Sequence, residues 1–304
     1  MEPPAPAPGT PRIHCGVGLE CDRAAAGPFE AAIDRAAEAG FRYVEPFLYT
    51  PVQLELNSHQ RVHTSSPYHH LNPDAADPAA VRAALSRAGL RFSAADAHGS
   101  LLLPQIAVLQ LTRAIDFAAA IDCPIVMSDE GPVASEWMPL DRAFDVLCFT
   151  LEPVIAHAQA RGVRFALELH NALTAQPKYL VRLLERFGPA ELGINFDTGN
   201  SFLAGNDPVA LLRELVDRVI HVHLKDIPAS QLPLRGKVTG TRVGVAAGDG
   251  VVDVVGVVQA LVRAGYAGVL SVECDTWEQA ARSRVFLENA LTAASAQLQH
   301  PVPV

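Results

Sequence analysis

The sequence predicts an α/β chain folded as a single (β/α)8 barrel of parallel strands, and three observations carry that expectation. Short β-type runs alternate with amphipathic helical runs from residue 13 to the end, eight of each. Glycines 40, 89, 162, 188 and 265 each stand a few residues before a β-type run, where a helix ends on a left-handed cap. No Gly-x-Gly-x-x-Gly follows the first run, so the dinucleotide fingerprint of a doubly wound sheet is missing. At 304 residues the chain suits one barrel, for which about 250 residues is typical.

Taken in order, the strands are expected at 13–19, 42–45, 91–97, 124–128, 164–168, 192–197, 219–224 and 269–273. The clearest helical runs are 105–121, 140–161, 177–187, 208–216, 253–264 and 277–298. Residues 1–12 are rich in Pro and Ala and are expected to be a disordered leader, leaving 13–300 as the barrel. Two connections are too long for plain turns. Residues 47–77, after the second strand, hold Asn57, His59, His63, Pro67, His69 and His70; residues 226–252, after the seventh, hold Arg235, Lys237, Arg242 and Gly248-Asp249-Gly250. Both leave the face of the barrel on which such folds place their sites.

Composition narrows the function classes. Hydrophobic residues make up 49% of the chain and aromatics only 6%, which fits Ala, Val and Leu packing closely around buried parallel strands. A formal charge of -9 leaves no basic excess to neutralise a phosphate backbone, so nucleic acid is not the expected partner. The five cysteines show no CxxC pair and read as reduced, mostly buried thiols. No signal segment and no long uncharged apolar stretch stands out, so a cytoplasmic protein without a membrane anchor is expected.

Four late strands end in a polar group that strand formation does not need: Glu168, Asp197, His223 and Glu273. A lone strand-end carboxylate is ordinarily a loop anchor. Four such groups on consecutive strands gather at one rim, where three carboxylates repel one another until a cation joins them. One imidazole with three carboxylates is an oxygen-rich donor set that suits Mn2+ first, then Mg2+ or Co2+, ahead of Zn2+.

The ordered segments Leu-Glu-Leu-His-Asn at 167–171, Phe-Asp-Thr-Gly-Asn at 196–200, His-Val-His-Leu-Lys-Asp at 221–226, Gly-Asp-Gly-Val-Val-Asp at 248–253 and Val-Glu at 272–273 resemble the xylose isomerase-like TIM barrels. That family includes sugar isomerases, ketose epimerases and inosose dehydratases. The resemblance implies that Glu168, Asp197, His223 and Glu273 ligate one divalent metal, and that Glu168 and Glu273 also move protons. It implies a metal-dependent isomerase or epimerase acting on a small keto-sugar or polyol-derived ketone, with an inosose-type dehydratase as the alternative on the same site. The pattern of the ketose 3-epimerases is broken at Asn200 and Ala229, where those enzymes carry a histidine and an arginine. An abasic-site endonuclease of the same fold would need a histidine at Asn200 and an Asp-x-His after His223, and this chain has neither.

Substrate contacts are expected from Glu45, His98, His170, Asn171, Asn200, Lys225 and Arg242. Glu45 serves equally well as a loop anchor, Lys225 as the neutraliser of an oxyanion, and Asp226 as the residue that orients a ligand. His59 and His63 have i, i+4 spacing without an accompanying carboxylate, which favours lid contacts over a second metal. Trp137 and Trp277 read as packing residues. The expected partner is a small carbohydrate, and a homo-oligomer is compatible with the sequence.

Overall fold

The computed structural model describes residues 13–21, 28–49, 70–131, 138–241 and 244–299. The expected leader, the histidines at 59, 63 and 69, Trp137 and Arg242 lie outside the described residues. Strands are β1 (His14–Gly18), β2 (Tyr43–Glu45), β3 (Phe47–Leu48), β4 (His70–Leu71), β5 (Arg91–Phe92), β6 (Ala95–Asp96), β7 (Ile125–Ser128), β8 (Arg164–Glu168), β9 (Gly193–Asp197), β10 (Val219–Leu224) and β11 (Val269–Val272). Helices are α1 (Phe29–Glu38), α2 (Pro78–Ala88), α3 (Pro104–Ala120), α4 (Leu140–Arg161), α5 (Pro177–Arg186), α6 (Thr198–Leu203), α7 (Pro208–Leu215), α8 (Val254–Arg263) and α9 (Trp277–Gln299).

All the strand pairings are parallel; the expected strand 91–97 is split into β5 and β6, and β2 is followed by β3 inside the stretch expected as loop. Pro46 separates β2 from β3 because it has no N–H to give the ladder, although its carbonyl still accepts from Asp96 N at 2.9 Å. Ser93 and Ala94 separate β5 from β6, although Ser93 N still donates to Val44 O at 3.0 Å. With each split pair joined, eight strands run round in chain order, and β1 pairs with both β2 and β11. β4 takes a place beside β3 that the sequence assigned to loop.

The period of two along each strand sets what the barrel mouth contains. Ala166 and Glu168 share a face of β8, Asn195 and Asp197 a face of β9, His221 and His223 a face of β10, and all are buried. Lower on the same lining, Ala94, Ile125, Met127 and Ala166 form an apolar plug of their own. The alternate residues, among them Phe165, Leu167 and Phe196, join the larger core against the helices.

Helix ends follow the glycine pattern with one exception. Gly89 and Gly162 cap α2 and α4 in the left-handed region, and Gly40 and Gly265 also have positive φ. Gly188 does not: α5 ends on Phe187 in an extended conformation, φ -112. The short α6, which periodicity did not forecast, starts because Asp197 accepts from Asn200 N at 2.8 Å. Trp277 opens α9 and packs against the core as expected.

The connection after β10 is organised by one side chain. Asp226 Oδ1 accepts from Ile227 N and Val252 N, at 2.9 and 3.0 Å, while Oδ2 accepts from Gly248 N and Gly250 N, both at 2.9 Å. Four backbone donors are thereby satisfied within a loop. All five cysteines are free thiols, four of them buried. No helix among the described residues is long and apolar enough to cross a membrane.

Candidate metal centre and active site

Donor atoms of Glu168, Asp197 and His223 lie within 4.8 Å of one another, all three residues being buried. Parallel register explains this, since Glu168 pairs with Asn195 and Asp197 with His223 at the same level of the barrel. Glu273 follows β11 and joins through His223: its Oε1 is 2.9 Å from His223 Nδ1, and its Oε2 meets Lys225 Nζ. Lys225 Nζ also lies 3.1 Å from Asp197 Oδ2.

Electrostatics show how crowded the site is. Burial acts to raise every carboxyl pKa here. For Glu168 the positive field of His223 outweighs burial and holds the group down at about 2. For Glu273 the neighbouring His223 and Lys225 likewise outweigh burial and keep it well below the usual range. Asp197 goes the other way, to about 6, because burial, reinforced by Glu273 and Glu168, exceeds the help of Lys225.

These residues fit a divalent cation. His223 Nδ1 faces Glu168 Oε1 at 3.5 Å and Glu273 Oε1 at 2.9 Å without hydrogen-bond geometry, and the buried Glu168 Oε2 has no hydrogen-bond partner among the described residues. Nδ1 is therefore the nitrogen turned to the carboxylates. Nε2 is taken by Glu45 Oε1 at 2.7 Å. A carboxylate on the far nitrogen of a ligating histidine fixes its tautomer and ring plane. Glu45 thus sits against His223, and against His221 at 3.5 Å, rather than standing as an isolated contact at the mouth. His221, pushed down to about 4 by burial, takes its other nitrogen to Asn195 Oδ1 at 3.1 Å.

A second arc of polar groups adjoins the first. His98 Nε2 is 2.7 Å from Asp96 Oδ2 and 3.4 Å from Glu168 Oε2, and His98 Nδ1 is 3.4 Å from Asp129 Oδ2. Asp129 Oδ2 also accepts from Asn171 Nδ2 at 2.7 Å and lies 3.0 Å from His170 Nδ1. Burial opposes a charge on His98, but Asp96 and Asp129 outweigh it and raise its pKa well above the ordinary imidazole value. Next along the chain, Glu130 accepts from Leu173 N, Thr174 N and Thr174 Oγ1, fixing the loop that carries His170 and Asn171.

Asn200 donates to Glu168 Oε1 at 3.2 Å. The structure therefore gathers Glu45, His98, His170, Asn171, Asn200 and Lys225 around the four expected ligands, whereas Arg242 is outside the described residues. Sequence reading missed Asp96 and Asp129. Strand parity could have found both: Asp96 stands two residues before His98, and Asp129 continues the inward series of Ile125 and Met127.

A family model for xylose isomerase-like TIM barrels matches residues 33–290. The chain belongs to that family. Among curated relatives, inosose dehydratase of Lacticaseibacillus casei is 28% identical over 143 residues, 44% of this chain and 48% of that one. Inosose dehydratase of Salmonella typhimurium is 31% identical over 143 residues, with the same shares of 44% and 48%. The chain thus spans about half the length of the curated relatives it matches.

Solved structures resemble the fold over nearly its whole length. A D-tagatose 3-epimerase-like protein superposes with a TM-score of 0.74 at 19% identity, covering 94% of this chain and 99% of that one. An L-ribulose 3-epimerase gives 0.73 at 17% identity, with 96% and 100% covered. A probable 3-DHS dehydratase from Bacillus anthracis gives 0.63 at 16% identity, with 95% and 100% covered. At such identities these likenesses establish the barrel and nothing finer.

Proposed function

We propose that this chain is a divalent-metal-dependent isomerase or epimerase of a small keto-sugar or polyol-derived ketone. The observation that carries the reading is the buried convergence of Glu168, Asp197 and His223, with Glu273 on the far side of His223. These four would hold the cation, with Mn2+ favoured by the oxygen-rich donor set and Mg2+, Co2+ or Zn2+ as alternatives. When bound, the cation supplies Lewis-acid polarisation of the substrate carbonyl, which acidifies the neighbouring C–H.

The residues of the chain then do the proton work. One of the two carboxylates, Glu168 or Glu273, takes the proton from carbon and the other returns it, and the face and carbon of return decide between isomer and epimer. Lys225, held between Asp197 and Glu273, supplies positive charge where oxyanion character develops. Glu45 keeps the His223 ring in place, and His170, Asn171 and Asn200 offer polar edges to sugar hydroxyls.

A dehydratase is the second reading, favoured by a particular feature. His98 is wedged between Asp96 and Asp129 and lies 3.4 Å from Glu168, placing a proton donor where a β-hydroxyl could leave. The inosose dehydratases matched over 143 residues support the same alternative. Incubating the Mn2+-loaded enzyme with ketoses and inososes in D2O separates the readings. Isomerisation or epimerisation puts deuterium on carbon at unchanged composition, and dehydration gives a product lighter by one water. Product formation at full rate in metal-free protein would sink both.

A further inference from the structure

The proposed proton chemistry leaves several buried carboxylates without a direct part, Asp129 among them. Asp129, 3% exposed, directly follows β7; it accepts from Asn171 Nδ2 at 2.7 Å and Gly131 N at 3.1 Å, and lies 3.0 Å from His170 Nδ1 and 3.4 Å from His98 Nδ1. Burial would raise its pKa, but the imidazoles of His98 and His170 outweigh burial and keep it ionised. With Nδ1 toward Asp129, the His170 ring turns its Cδ2–Nε2 edge to the connection after β10. A Cβ placed on Gly240 would stand 2.6 Å from His170 Cδ2, 2.7 Å from Nε2 and 2.9 Å from Asn200 Oδ1. His170 Nε2 and Asn200 Oδ1 therefore both border the Cα of Gly240. Asn200 Oδ1 is buried and has no hydrogen-bond partner among the described residues, while the Nδ2 of the same amide is bonded to Glu168.

We propose that Asp129 is the positioning residue of a hydroxyl-recognition subsite, formed by His170 Nε2 and Asn200 Oδ1, for a substrate carbon close to the one at Glu168. Asp129 holds Asn171 by accepting from its side-chain amide and holds His170 by its charge, 3.0 Å from Nδ1, so the subsite exists before substrate arrives. An acceptor such as Asn200 Oδ1 selects a hydroxyl over a deoxy carbon, because a buried acceptor left unpaired is costly. Gly240 belongs to the same device, since a side chain there would crowd both polar atoms. The choice of a polyhydroxylated ketone rests on the proposed function; the lock on His170 does not.

Two measurements separate these parts. In 15N-histidine-labelled protein, the wild type should show a slowly exchanging, hydrogen-bonded Nδ1–H signal for His170, assigned by its loss in His170→Gln. Asp129→Leu, of similar size but without an acceptor, should lose that signal, and Asp129→Asn should retain it only in weakened, faster-exchanging form. With Mn2+ loaded, calorimetry should show at least tenfold weaker binding of inosose or D-tagatose to Asp129→Asn, with Mn2+ stoichiometry unchanged. Gly240→Ala should weaken ketose binding comparably while keeping the His170 signal. Survival of the signal in Asp129→Leu, or unaltered ketose affinity in Asp129→Asn, would overturn the proposal. If neither ketose binds the wild type, the proposed substrate class fails, and the His170 signal alone decides the role of Asp129; should Asp129→Leu not fold, Asp129→Asn carries the test.

Discussion

The barrel mouth is built in two ways. On the arc from β8 to β11, Glu168, Asp197, His223 and Glu273 are placed by strand ends whose parallel register leaves little freedom. On the arc from β6 to the loop after β8, His98, His170 and Asn171 sit on connections and are placed by the carboxylates of Asp96, Asp129 and Glu130. The first arc is preorganised by backbone, the second by buried hydrogen bonds. Mutations on the first should therefore damage chemistry with the fold intact, whereas mutations on the second should also alter binding and loop stability.

The largest expected effect is removal of the cation: EDTA should abolish turnover, and Mn2+ or Co2+ should restore it better than Zn2+. Full activity in protein shown by elemental analysis to be metal-free would remove the distinction between the arcs. Next come Glu168→Gln and Glu273→Gln, each expected to lower turnover by roughly 10²- to 10⁴-fold with at least partial metal occupancy retained. Steady-state kinetics beside metal analysis would expose an error if either variant turned over normally.

Glu45→Gln tests whether support from behind matters on the strand-built arc. Losing the charged acceptor at His223 Nε2 should weaken metal affinity by about 10- to 100-fold, read by competition with a chelating dye. Unchanged affinity would make Glu45 a packing residue.

The smallest effect belongs to the loop-built arc. Burial raises Glu130 from 4.5 to about 7, against the opposing pull of its hydrogen bonds from Thr174. A raised carboxyl pKa means that the unfolded chain releases its proton first. The stability contributed by the protonated form is fully present below about 4.5 and is lost as pH rises through about 7, an effect of at most about 3 kcal/mol. Urea unfolding of Glu130→Gln at pH 5 and pH 8 should show a flatter pH dependence than wild type. Parallel curves for the two proteins would rule out this coupling.

How much was legible follows the same division. Period-two alternation and chain order give the strand-end ligands their place, and the helix–glycine–strand repeat gives the barrel. Asp129 escaped because the fourth strand was ended at 128, one residue before the inward series of Ile125 and Met127 reaches it. Glu45 was noticed, but no linear pattern links it to His223, 178 positions away. β4 was unreadable for another reason: two residues, His70 and Leu71, carry no periodicity. Pro46 broke a strand that hydrophobicity alone would have continued. Gly188 shows the limit of the cap rule: it follows a helix without positive φ, and its carbonyl accepts from Glu191 N and Leu192 N in a turn of its own.

The clasp made by Asp226 bears on how the connection after β10 opens. Amide exchange reports local opening, and the N–H groups of Gly248, Gly250 and Val252 all end on one buried carboxylate. They should exchange together and slowly, in the manner of a strand, although they lie in irregular chain. Toward Gly236 and Gly240 no carboxylate among the described residues gathers the backbone, and the described hydrogen bonds are single ones, such as Gly236 N to Leu203 O at 2.7 Å. One connection is thus expected to show two exchange regimes, a firm distal half latched to the barrel and a looser proximal half bordering His170. Substrate entry would draw on the second without disturbing the first.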